Sequence, residues 1–265
     1  MKINTFRLRE TKQKLSARLE KYRELKKQRG MTLLEIIIVL GIIGTIAAGV
    51  VILAQRAFDS KAISDLVTNT NTMRTAIKQV YGPTGNYPAL TGNNSINNVL
   101  GLNDTTISTD TNTVIGQLVG LGKLSPSEAR NNISGDFYLA AAAKIGTGGT
   151  GGTGGTATAV GKGYYINVNG LNQQQCRNVL LQIGNQWDYV QVIQGEDSGK
   201  YVNAGGTDGL NLAGTVVTNT TITAGSGTAI LRSLNATDGN QQIDPELALK
   251  ACADNSGNGI ILGSR

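Results

Sequence analysis

Gly30-Met31-Thr32-Leu33-Leu34-Glu35 opens an apolar run that continues to Ala54, and the reading of this stretch decides the fold. Leu33 to Ala54 is 22 residues with one charge, Glu35. At about 1.5 Å per residue it reaches roughly 33 Å as a helix, one hydrocarbon core in thickness. A carboxylate held there costs on the order of 2.5 to 3.5 kcal/mol on insertion scales, so Glu35 calls for a partner.

Upstream, residues 1 to 30 hold 11 Lys or Arg against 3 Glu, a net +8, with Phe6, Leu15, Leu19, Tyr22 and Leu25 on a weak apolar stripe. Basic residues massed just before a span hold that end in the cytoplasm and send the C-terminus outward. An ordinary signal peptide cut after Ala47-Ala48-Gly49 is the alternative. The apolar run and the leader are both too long for it, and the pattern continues as helix. Ala62, Leu66, Met73, Ile77 and Val80 recur at helical spacing, Asp59, Lys61, Asp65, Arg74 and Lys78 fall mostly elsewhere, and the first proline is Pro83. The expectation is one helix of about 50 residues from Met31 to Tyr81, roughly 75 Å long, its first half bare and its second half packed on a domain. Gly41, Gly44 and Gly49 weaken the bare half by up to ~1 kcal/mol each relative to Ala. They serve close packing or local unwinding, or are simply the glycines common in membrane helices.

The Gly30 to Glu35 pattern, behind a basic leader and ahead of an uninterrupted apolar helix, resembles the processing site of type IV prepilins. The long leader, Met31 where the commoner subclass has Phe, and two far-apart cysteines resemble the type IVb group. Gly44 to Ser60 is similar to the major pilins of longus and the toxin-coregulated pilus. The resemblance implies that a prepilin peptidase cuts after Gly30 and methylates the new amino group of Met31. It also implies that Glu35 neutralises the N-terminal amine of a neighbouring subunit during assembly. The physics agrees, since a free Met31 ammonium and Glu35 share one helix face at i, i+4.

The fold implied is α+β: the type IV pilin fold, a lollipop with a long N-terminal helix packed on an antiparallel β-sheet, an αβ-loop with short helices and a disulfide-bounded C-terminal region. Its parts would be the leader at 1–30, the helix at 31–82 with 31–54 as transmembrane segment and filament core, and a globular head at 83–265. The function implied is a structural subunit, a major pilin, polymerising into extracellular fibres for adhesion, aggregation and colonisation. Its partners would be copies of itself, prepilin peptidase and the inner-membrane assembly machinery, a minor pilin, and a host surface receptor that the sequence does not identify. The precursor would sit in the bacterial inner membrane, head in the periplasm, before entering the extracellular pilus. A minor pilin or type II secretion pseudopilin is the first rival, and a single-span envelope enzyme or binding protein the second.

The net charge of +6 belongs to the leader, because residues 31 to 265 carry 13 Lys or Arg against 15 acidic residues. With no basic patch or aromatic interleaving beyond Gly30, no nucleic-acid partner is expected. The absence of histidine removes Ser-His-Asp and Cys-His catalysis and the commonest zinc ligands. No catalytic residue, metal or cofactor is assigned. Cys176 and Cys252 form an even pair in a domain placed outside the cytoplasm, for which an oxidised pair is the natural reading and two free buried thiols the alternative. In the family the segment so bounded is the variable outer face of the filament.

Further along, Tyr81-Gly82-Pro83 ends the helix and Gly85-Asn86-Tyr87-Pro88 reads as a turn. Residues 89 to 112 read as a surface loop; Val114, Leu118 and Leu121 as a short helix; Ser125-Pro126-Ser127-Glu128 as a capping box opening a helix through Arg130. The Gly-Gly-Thr repeats from Thr147 to Thr156 lack the Gly-Lys-Ser/Thr of a phosphate loop and read as a flexible linker. Strands are expected at Gly163 to Asn169, with Tyr164, Ile166 and Val168 on one side, at Trp187 to Ile193, Val216 to Thr223 and Thr228 to Ser233, and around Ile260-Ile261-Leu262. Helices are expected from Leu171 to Ile183 and from Asp244-Pro245-Glu246 to Cys252. Asp254 to Gly259 resembles the start of a calcium loop, but its bidentate acid would have to be Arg265, which leaves an Asn/Gly turn. Asp136, Asp188 and Glu196 read as solvated surface.

Overall fold

The computed structural model describes residues 19–20, 32–146, 162–206, 209–223, 225, 228–235 and 240–265. The expected cleavage pair Gly30 and Met31, most of the leader and the Gly-Gly-Thr repeats therefore lie outside the described residues. Two compact units are present, one ending at Arg56 and one running from Ala57 to Arg265.

Helix α1 spans Leu33–Tyr81, 49 residues. Thr32 caps it: its carbonyl accepts from the Glu35 and Ile36 amides at 3.0 and 3.3 Å, and its hydroxyl from the Glu35 amide at 3.3 Å. Within the second unit the helix buries Ile63, Leu66, Met73, Ala76 and Ile77. This stripe differs from the expected one by taking in Ile63 and Ala76 and leaving Ala62 and Val80 half-buried. Thr70 is buried on the same side, and its hydroxyl is satisfied within the helix by the Leu66 and Val67 carbonyls. The Arg74 guanidinium lies 4.9 Å over the Trp187 ring and donates to the Gln186 carbonyl at 2.9 Å, fastening this half of α1 to the head. The helix stops at Gly82, where a side chain would run into the Lys78 carbonyl, and Gly85 turns the chain at φ +57°.

The segment read as a surface loop is partly ordered and buried. It holds α2, Ile96–Leu100, capped by Ser95, and a 3-10 turn, Ile107–Thr109, because Val99 and Ile107 act as apolar anchors sunk in the core. Helix α3, Val114–Gly120, follows, capped by Thr113. The capping box at Ser125 forms, with Glu128 accepting from the Ser125 amide at 2.9 Å, yet it closes a single turn and no helix follows. Arg130 is taken instead into an antiparallel bridge with Phe137.

Strand β1, Leu139–Ala143, went unread because an alanine run has low strand propensity. It is a strand because it pairs antiparallel with β2, Gly163–Leu171, with Leu139 opposite Asn167 and Ala143 opposite Gly163. Helix α4, Gln173–Ile183, starts at a full Asn172–Gln175 capping box and is followed by β3, Tyr189–Gln194. Strand β4 is Thr228–Arg232, α5 is Pro245–Ala251 capped by Asp244, and β5 is Asn258–Ser264. Val216 to Thr223 forms no strand; it meets β4 through one backbone bond, Val217 to Ile230 at 2.8 Å.

The sheet is antiparallel throughout, in the order β1-β2-β5-β3-β4. One face, with Tyr164, Ile166, Val168, Val190, Val192, Ile260 and Leu262, shares a core with α1, α4 and α5. The other, with Tyr165, Tyr189, Ile193 and Ile261, is covered by the segment carrying Leu210 and Leu212. Covering both faces is why the strands are buried along nearly their whole length.

The Cys176–Cys252 bond is formed and joins α4 to the residue ending α5. It closes a loop of 76 residues that contains β3 and β4. In the chain-entropy account such a link is worth on the order of 4.5 kcal/mol. The double variant Cys176→Ser/Cys252→Ser in detergent should therefore unfold at clearly lower urea, by several kcal/mol. A midpoint within error of the native chain's would show that the link does not hold the head.

Candidate functional site

The exposed half of α1 is the first candidate site. Every side chain from Leu33 to Leu53 is exposed, Leu33 by 77% and Leu53 by 67%, and just beyond it Phe58 is 71% exposed. The segment has the length and composition to cross a membrane, with a mean hydropathy of 3.0 in its best window. Each large aliphatic side chain here stands to gain roughly 1.5 to 3 kcal/mol by leaving water. A surface of this kind is a binding surface, whether for lipid or protein.

Glu35 lies in the first turn of α1, three residues after its cap. Thr32-Leu33-Leu34-Glu35 is a capping-box sequence, and the threonine half of the box is made. The same carboxylate is favoured by the positive end of the helix dipole. It is exposed, and none of the ion pairs among the described residues involves it. Nothing lies within 4 Å of where a Cβ would stand on Gly41, Gly44 or Gly49.

The cysteines sit in the second unit, bonded to each other, and Glu35 belongs to the first. The Asp254 to Gly259 stretch is a turn organised by Asn258. Its buried amide donates to the carbonyls of Leu171, Ala253 and Asn255 at 3.1 to 3.2 Å and accepts from the Ala253 amide at 2.9 Å. Among the described residues no cluster of three metal-ligating side chains occurs.

Glu196 departs most from the sequence reading: it is fully buried. One carboxyl oxygen accepts from Asn167 Nδ2 at 2.7 Å and from the Val202 amide at 2.9 Å; the other lies against Gly259. Burial, opposed by those two hydrogen bonds, pushes its pKa up to about 7. Asp136, also read as free surface, accepts from Asn169 at 2.7 Å and from the Gly199 amide at 2.6 Å, and Asp188 accepts from Ser264 at 2.6 Å. The missed signal was the placement of Asn167 and Asn169 on the same side of β2 as Tyr165, polar positions inside a strand covered on both faces.

Together these features define a class: an apolar, exposed N-terminal helix joined to a disulfide-closed α+β head is the type IV pilin fold. A solved type IV pilin, TcpA from the El Tor biotype of Vibrio cholerae, has that fold at a TM-score of 0.56 and 21% identity, over 77% of this chain and 99% of that one. Residues 25–51 match the prokaryotic N-terminal methylation motif. The chain is 35% identical to the toxin coregulated pilin of Vibrio cholerae over 168 residues, and equally to that of an O1 El Tor strain. The match spans 63% of this chain and 63% of the length of those relatives. The resemblance to pilins of the toxin-coregulated group read from Gly30 to Ser60 thus has support in motif, sequence and fold.

The three bare glycines give a prediction. Gly44→Ala or Gly41→Ala should leave the detergent-solubilised subunit folded and slightly more helical by circular dichroism, each stabilising the isolated helix by up to ~1 kcal/mol. A destabilised protein would contradict the open surroundings of these glycines.

Proposed function

We propose that this chain is the precursor of a type IVb major pilin, a structural subunit rather than an enzyme. In this reading it is cut after Gly30, N-methylated at Met31, and polymerised through Leu33 to Ala54 into an extracellular fibre for adhesion and aggregation. The observation that carries the reading is the apolar, exposed half of α1 on a head of type IV pilin fold. The methylation motif at its start and the similarity to toxin coregulated pilin support it. The leader stays in the cytoplasm, the helix waits in the inner membrane, and the head faces the periplasm until assembly machinery, with a minor pilin, extracts the subunit. Inside the fibre, Glu35 pairs with the N-terminal ammonium of a neighbouring copy, which removes two charges from an apolar core at once.

The test is an intact mass, reduced and non-reduced, of protein sheared from cells that carry the assembly machinery. The expected species starts at methylated Met31 and is two hydrogens lighter before reduction. A chain retaining residues 1 to 30, or one starting at Val50, overturns the reading, and trace amounts in otherwise abundant fibres favour a minor pilin. Glu35→Gln should still be cleaved and hold a folded head while fibre yield falls about tenfold or more, since an unpartnered ammonium is then left in the core. Undiminished fibres would remove Glu35 from assembly.

A further inference from the structure

Glu196 stands in the segment from Gly195 to Val202, which crosses the outer side of β2 and β5. Glycines with φ of +81° and +78°, Gly195 and Gly199, bound the short stretch that carries it. The backbone on either side is tied down: the Gly170 amide donates to the Glu196 carbonyl at 2.7 Å, and the Glu196 amide to the Gly257 carbonyl at 3.0 Å. From β2 the carboxyl faces Tyr165 and Asn167, from β5 Gly259, from β3 Ile193, and from its own segment Tyr201 and the Val202 amide. The charged neighbours are Asp136, whose field also reaches Tyr201, and the exposed Asp197 and Lys200. None of the ion pairs among the described residues involves Glu196.

Two acceptors in this pocket lack a hydrogen-bond partner among the described residues, Glu196 Oε2 and Asn167 Oδ1. They belong to the two side chains already joined by the 2.7 Å bond from Asn167 Nδ2 to Glu196 Oε1. A buried acceptor left unpaired costs on the order of 1 to 3 kcal/mol, and a buried carboxylate without a cation costs more. One proton answers all three deficits: on Oε2 it neutralises the carboxyl, gives that oxygen a donor, and offers Asn167 Oδ1 the reciprocal bond of an acid–amide pair. We propose that the folded head carries Glu196 as the neutral acid, paired with Asn167, and that this proton latches the Gly195 to Val202 segment onto β2 and β5, so that its loss loosens the segment.

The sign follows from linkage. The closed form holds the proton up to about pH 7, whereas an opened, solvated carboxyl releases it near its ordinary value of 4.5. The closed segment is therefore most secure at acid pH, loses stability as pH rises from 4.5 to 7, and changes little above. Between pH 5 and pH 8 the opening equilibrium should rise by roughly 10- to 100-fold.

The experiment is amide hydrogen exchange on the full chain in detergent at pH 5 and pH 8, corrected for intrinsic exchange, comparing native protein with Glu196→Gln. The Gln side chain keeps the acceptor, supplies a permanent donor and cannot ionise. The Gly170 and Val202 amides should lose protection by that factor in the native chain and by less than about threefold in the variant. Native protection unchanged with pH, or an equal loss in both proteins, overturns the proposal. Should the variant fail to fold, the native chain decides alone by infrared spectroscopy. A protonated, solvent-shielded carboxylic acid persisting to pH 6 and vanishing by pH 9 is expected, and its absence at pH 6 overturns the latch. The latch rests on head geometry only, so its failure leaves the fibre reading intact.

Discussion

The head depends on one placement: β5, the last strand in the chain, lies in the middle of the sheet. It pairs with β2 on one side, Ile260 opposite Val168, and with β3 on the other, Ile260 opposite Val192. Without it the remaining strands form two separate antiparallel pairs, β1 with β2 and β3 with β4, each too small to be stable alone. The order of closing is set accordingly, since the sheet cannot be continuous until the final seven residues of regular structure arrive. The Cys176–Cys252 bond acts on this step. It fixes the chain six residues before β5 begins, beside the helix that follows β2, so the search for the central slot is short.

Holding both sides of that strand constrains both faces of the sheet. On the outer face β5 offers Gly259, Ile261 and Gly263. A side chain on Gly263 would meet Leu212 and Tyr189, and one on Gly259 would occupy the space of the Glu196 carboxyl. The covering segment therefore sits close because β5 lacks bulk there, and the buried acid follows from the same glycine that admits it. Desolvating a carboxyl is unfavourable unless its oxygens are bonded or its charge is removed. The outer layer thus carries a polar cost beside an inner core of aliphatic and aromatic side chains.

How much of this was legible depended on whether a local rule and a tertiary demand agreed. Helix α1 was readable through to Tyr81 because the period, the lack of proline and the Gly82-Pro83 stop all point the same way, but it begins at Leu33 behind the Thr32 cap rather than at the expected Met31, which lies outside the described residues. Strands β2 and β3 were readable because β-branched and aromatic residues alternate in them. Strand β1 was not, since Leu139 to Ala143 carries no local strand preference and owes its state to β2 beside it. The Ser125 capping box misled because it is a true local signal whose continuation was claimed by the Arg130–Phe137 bridge. Glu196 misled most. A charged residue after a strand and a glycine looks solvated, and only the return of its own segment through Tyr201 and Val202 against β2 and β5 buries it. In the apolar half of α1 Glu35 was conspicuous from sequence alone, because one charge in a long apolar run needs no fold to be noticed.

The glycines separate the two units by the kind of constraint each is under. In the head, Gly259 and Gly263 are dictated by atoms of the same chain, and a methyl group added there collides with named side chains. In the bare half of α1, Gly41, Gly44 and Gly49 meet nothing, so the chain's own fold gives no reason for them and helix propensity argues against them. A residue that costs its own helix stability and meets none of the described residues draws its reason from what surrounds that helix elsewhere. Glu35 has the same character, a charge with no ion-pair partner among the described residues, in a segment otherwise suited to an apolar medium. The head sets its glycines against its own atoms, while Leu33 to Leu53 present an exposed apolar surface that no described residue covers.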